Sequence, residues 1–148
     1  MECGLFDCPP AWTDWLPPGV WPLASAAALE AAEWDLLALT ARGCRLLGTA
    51  RVRCRELLVP GDCPPGLLDR VAAETVVTCG LSPRDSLTFS SLAEPVLCVQ
   101  RALPRPGGGC VEPQEFPLPP LPWPPEAALP LLGLWLLQMP LTEGPFPW

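Results

Sequence analysis

Lysine, histidine, tyrosine, asparagine and isoleucine are all missing from this chain of 148 residues. Without lysine there is no Walker lysine, no Schiff-base amine and no kinase strand lysine. Without histidine, Cys–His and Ser–His–Asp catalysis are excluded. Without tyrosine, and with few and scattered phenylalanines, there is no aromatic platform of the kind that stacks RNA bases. No G-x-G-x-x-G occurs, and the one glycine run, Gly107–Gly109, sits in a hairpin-like turn with no helix behind it. The codons for lysine, asparagine, isoleucine and tyrosine are AT-rich, so these gaps together read as the product of a GC-rich genome, the alternative being a spurious reading frame in GC-rich DNA.

Charge is also scarce. Charged residues make up 17% of the chain and the net charge is −7, which disfavours non-specific attachment to nucleic acid or to an anionic membrane. The start, Met1-Glu2-Cys3-Gly4-Leu5-Phe6-Asp7, has neither the basic nor the long apolar stretch of a secretion signal. The eight cysteines form no C-x-x-C pair and no zinc-ribbon spacing. They are expected to be reduced thiols, mostly in the core, of a cytoplasmic protein, with no metal and no cofactor.

Apolar residues are abundant, at 49%, which is enough to build a core and argues against wholesale disorder. The length suits one domain. The 23 prolines crowd toward the two ends. Residues 1–23 interleave proline with Trp12, Trp15 and Trp21 and are expected to form an arm, either packed over the domain or docking a protein partner. Residues 24–116 read as an α/β domain. Residues 117–148 read as a polyproline-like connector followed by an apolar helix over Glu126–Met139. The uncharged stretch in that helix is shorter than the ~20 residues of a membrane span.

Within the central region, residues 24–42 are rich in alanine and leucine and predict a helix, with Gly43 as its terminating glycine. Cys44–Gly48 predicts a strand. Arg51-Val52-Arg53-Cys54-Arg55 alternates, which puts three arginines on one face and Val52 and Cys54 on the other. The run continues to Val59 and stops at Pro60-Gly61-Asp62. A short helix over 64–73 and a strand over 75–79 then complete a parallel βαβ unit, with Val59 and Val77 in neighbouring strands. Strands near 86–90, 95–100 and 111–116 predict an antiparallel extension. The expected fold is a small Rossmann-like α/β domain.

Two loops follow the two parallel strands, and in such sheets ligands bind beyond the carboxyl ends. Arg84 is suited to a carboxylate or phosphate, with Ser82 and Ser86 as hydroxyl donors. Asp62 belongs to the neighbouring loop, and Asp85 sits between Arg84 and Ser86. Each residue also has a plainer role: Asp85 as a turn residue and Asp62 as a helix cap. Arg51, Arg53 and Arg55 are candidates for an anion-facing surface, or simply a solvated strand face.

The stretch Thr75-Val76-Val77-Thr78-Cys79-Gly80-Leu81-Ser82-Pro83-Arg84-Asp85-Ser86-Leu87-Thr88-Phe89-Ser90-Ser91-Leu92 resembles a segment of small uncharacterised proteins of Firmicute bacteria. In those proteins a "TYG" strand precedes a "DS/T-hydrophobic-T-x-SS" strand. Cys98-Val99-Gln100-Arg101 and Glu112-Pro113-Gln114-Glu115-Phe116 continue the pattern, so the resemblance spans about residues 55–140. Cys79 stands where those proteins carry tyrosine. More distantly, the order of elements is similar to the end of the Mur ligase central domain. That similarity implies a Rossmann-like sheet but no ligase activity, because the P-loop is missing. The expected function is a non-catalytic binding or scaffold protein of a bacterial cytoplasm. The alternatives are an enzyme or binding domain for a nucleotide-like or sugar-nucleotide anion, and a peripheral membrane protein held by residues 127–141.

Overall fold

The computed structural model describes residues 2–139 and Phe146. The chain builds a mixed α/β domain around an eight-stranded sheet. In chain order the strands and helices are β1 (Cys3–Phe6), β2 (Val20–Leu23), α1 (Ala26–Glu30), β3 (Glu33–Leu39), α2 (Ala41–Leu46), β4 (Val52–Pro60), α3 (Leu67–Arg70) and β5 (Val71–Cys79). They continue with β6 (Leu87–Ser91), β7 (Val96–Val99), β8 (Leu103–Pro104), β9 (Cys110–Val111), β10 (Gln114–Pro117) and α4 (Leu129–Gln138). Turns of 3-10 helix cover Pro10–Trp15 and Pro125–Ala128. The order across the sheet is β10-β7-β6-β5-β4-β3-β1-β2. The pairings from β2 through to β6 are parallel, and those of β7 with β6 and β10 are antiparallel. β8 and β9 form a separate hairpin.

The β4–α3–β5 unit is present, but the helix expected over 64–73 is shortened to Leu67–Arg70 and residues 71–73 are the start of β5. Leu58 pairs with Val77 and Val59 with Thr78, so Val59 and Val77 stand in adjacent parallel strands. Arg51, Arg53 and Arg55 are exposed while Val52 and Cys54 are buried, as the alternation requires. The antiparallel extension is also present, as β6, β7 and β10. β5 and β6 share only the pair Cys79–Leu87. β6 therefore starts at the level where β5 stops, and the loop 80–86 joins two parallel strands without the long crossover they normally need.

Three further expectations are corrected. The helix over 24–42 is confined to α1, and residues 33–39 are the strand β3, paired with β1 on one side and β4 on the other. Leu36 to Leu39 are all buried, with Leu36 and Ala38 in one core cluster and Leu37 and Leu39 in the other. A central strand buries a continuous apolar run on both faces, and that gain overrides the helix propensity of alanine and leucine. Cys44–Gly48 is not a strand. Its first residues complete α2, and Gly43 lies inside that helix rather than ending one. Thr40 caps α2 by accepting a 2.9 Å hydrogen bond from the Gly43 N–H. The expected N-terminal arm over 1–23 is in part sheet, because β1 and β2 are strands of the main sheet, while its Pro10–Trp15 turn packs over the core through Trp12 and Trp15.

The sheet has a core on each face. One cluster joins Leu29, Cys44, Leu47 and Leu67 of the helical connections to Leu37, Leu57 and Val59. The other joins α4 and Trp12 to Leu5, Leu58 and Val77. In α4, Leu131, Leu132, Leu134 and Leu136 are fully buried, each worth ~1.5–3 kcal/mol of transfer energy. Gly133 lets the helix sit close, since a Cβ there would lie 2.6 Å from Leu58 Cδ2. Among the described residues no helix is long and apolar enough to cross a membrane. The apolar segment from Ala127 toward Leu141 is described only to Met139, and the part described is largely core.

The proline-rich ends meet each other. Trp123 of the connector makes edge-to-face contacts with Trp12 at 6.1 Å and Trp15 at 5.6 Å. The Trp135 indole N–H of α4 donates to the Trp15 carbonyl at 2.7 Å. Trp21, on the edge strand β2, stays 61% exposed.

Candidate ligand-binding site

A cleft of about 1030 Å³ opens at the carboxyl ends of β1, β3, β4 and β5. From β1 the chain winds outward to β2 on one side, then returns to β3 on the other. The loops after β1 and β3 therefore part in opposite directions, which is the topological switch point where open α/β sheets leave a crevice. Asp7 follows β1 and Thr40 follows β3, and both line the cleft.

Asp7 has a left-handed backbone, with φ of 61°, a conformation that aspartate tolerates better than most residues. Its carboxylate accepts a 2.9 Å hydrogen bond from the Thr40 hydroxyl and lies 3.9 Å from the Arg42 guanidinium. Gly43 makes this junction possible, because a Cβ there would lie 2.9 Å from the Phe6 carbonyl oxygen. On the other side of the cleft, the loop after β5 is held by Asp85. This residue is 4% exposed, and its carboxylate accepts a 3.0 Å hydrogen bond from the Ser82 N–H. Cβ atoms at Gly61 and Gly80 would fall 1.9 and 2.5 Å from the Asp85 oxygens. Only bare backbone fits around that carboxylate. The Gln100 side chain braces the loop further by donating to the carbonyls of Pro83 and Asp85.

Of the residues singled out from the sequence, Asp62, Ser82, Arg84 and Asp85 line this one cleft. Ser86 does not. It is buried, its N–H donates to Thr78 Oγ1, and its hydroxyl oxygen accepts from Arg101. Arg51, Arg53 and Arg55 lie around the opposite end of β4, where Arg53 faces Glu33 at 3.6 Å and Arg55 faces Asp35 and Glu74 at 3.7 and 3.9 Å. The structure adds Asp7, Thr40, Arg42, Trp12 and Glu126 to the cleft. For Asp7, Thr40 and Arg42 the signal in the sequence was their place just after β1 and β3, which is legible only once both segments are recognised as strands; Trp12 and Glu126 come from the two 3-10 turns.

The thiols beside the cleft are poor nucleophiles. Burial, and then the neighbouring Asp85 carboxylate, push the Cys79 thiol far above its ordinary range. Burial, and then Asp7, raise Cys8, whose thiol donates to the Pro9 carbonyl. All eight cysteines are free. Among the described residues no group of histidine, cysteine or acidic side chains is placed to hold a metal ion. Family models, curated proteins and solved structures were compared with the chain, and none matches.

Proposed function

We propose that this chain is a non-catalytic binding module on a Rossmann-like sheet, and that its ligand is a small organic molecule with an anionic group seated in the cleft at the carboxyl edge. The observation that carries this reading is the cleft's position. It spans the switch point between β1 and β3 and collects Asp62 and Arg84 from the next two loops. Arg84 is exposed on a loop braced from beneath, and its guanidinium forms no ion pair among the described residues. It is the cation available to the ligand's anion. Binding rather than turnover fits the protonated thiols around the site. A bacterial cytoplasm is the setting proposed with it.

A thermal-shift panel of amino acids, short peptides, nucleotides and sugar nucleotides tests the reading. Protection by one class, lost in Arg84→Ala, supports it. No protection by any class, or protection that survives Arg84→Ala, overturns it. The exposed Trp21 on the outer strand β2 favours a second reading, a protein partner docking on that edge. A complex captured by the wild-type chain and lost in Trp21→Ser would support it.

A further inference from the structure

The charges around the cleft fall into two groups. Asp7 and Arg42 face each other, and Asp7 is also bound by Thr40. Asp85 is buried and holds the loop backbone. Asp7 and Asp85 are thereby committed to the protein itself, whereas Arg42, mostly exposed and 3.9 Å from Asp7, is shared between that carboxylate and solvent. Arg84, Asp62 and Glu126 remain. All three are exposed at the cleft and have no ion-pair or side-chain hydrogen-bond partner among the described residues. They come from three separate segments: the loop after β5, the loop after β4, and the 3-10 turn that leads into α4. Between them the walls are apolar, with Leu81, Leu129 and Pro130.

A ligand that complements this set needs one anion for Arg84, a cation for the two carboxylates and a compact apolar body. A chain of phosphates matches it badly. Its several negative charges would face two arginines, one of them beside Asp7, against four carboxylates at the same cleft, and like charges held together oppose binding. Building on the proposal that the cleft is a ligand site, we infer that it recognises an amphoteric molecule of the amino-acid or short-peptide class. The ligand's carboxylate lies on Arg84 and its ammonium between Asp62 and Glu126.

The test uses the full chain and three equimolar dipeptide pools: one with free termini, one N-acetylated and one C-amidated. UDP and inorganic pyrophosphate serve as phosphate probes, and retention is read by native mass spectrometry. A hydrogen bond to a charged group is worth enough that blocking either terminus should weaken retention by about tenfold or more. In the double variant Asp62→Asn/Glu126→Gln, the preference for free over acetylated peptides should vanish while the preference for carboxylate over amide survives. Arg84→Gln should do the reverse. All three residues are exposed, so circular dichroism should show an unchanged fold. Retention of UDP or pyrophosphate above every peptide pool, lost in Arg84→Gln, would overturn this inference and leave the cleft reading standing. Peptide retention indifferent to acetylation would overturn it as well. If no pool and neither phosphate probe is retained, both readings fall.

Discussion

Replacing Glu56 with glutamine should favour the protein's stability more at alkaline pH than in acid. Glu56 stands on β4, paired with Leu36 of β3 and Thr75 of β5. It is 3% exposed, and its Oε2 finds no hydrogen-bond partner. Burial lifts its pKa from the ordinary 4.5 to about 7, because removing water penalises the charged form. Below pH 4.5 the carboxyl is protonated in both the folded and the unfolded chain and costs nothing extra. As pH rises from 4.5 toward 7 the unfolded chain gives up its proton while the folded chain keeps it, so stability falls through that window. Above pH 7 the loss is complete and amounts to about 3 kcal/mol, the free-energy equivalent of the shift. Glutamine stays neutral throughout. The stability difference between Glu56→Gln and wild type should therefore grow by about 3 kcal/mol between pH 4.5 and pH 8. Urea unfolding of both proteins at pH 4.5, 6 and 8, under reducing conditions, measures it directly. Any offset from the new amide is independent of pH and cancels in the comparison. A difference that stays constant across the series would refute the reasoning and mean that a titrating Glu56 is not buried in the folded state.

Two smaller perturbations test the packing. Gly133→Val drives side-chain atoms into Leu58 and Leu87, both fully buried, and should cost about 1–3 kcal/mol of overpacking; an unchanged urea midpoint would mean that α4 rides higher above the sheet. Thr40→Ala removes the cap of α2 and the hydroxyl that holds Asp7; it should cost about 1 kcal/mol, and amide exchange should quicken at Gly43.

The parts of the fold that could be read from the sequence are those set by local signals. Leu57 to Val59, the stop at Pro60-Gly61-Asp62, and the next apolar strand define a parallel unit within about one turn-and-helix length. Asp62 and Arg84 came with it, because consecutive parallel strands put their following loops on the same edge. The parts missed depend on distant pairing. β3 lies between β1, some thirty residues earlier in the chain, and β4. Its three leucines and Ala38 carry helix propensity, and only the sheet on both sides outweighs that preference. β1 and β2 were hidden by the prolines around them, and Asp7, Thr40 and Arg42 were lost with them. Ser86 looked like a donor from its neighbours in the chain, but its orientation depends on the register of β6 against β5.

The outermost strands, β2 and β10, each carry a proline, Pro22 and Pro117. A pyrrolidine ring on the rim cannot donate to an approaching backbone, and it interrupts the row of groups on which a second chain would template itself. The charges of the sheet lie mostly on its central strands, while β2 carries none and β10 only Glu115, so its rims would otherwise invite edge-to-edge polymerisation. The proline bias that hid the first strands from a reader of the sequence also supplies the molecule's defence against growing into fibrils.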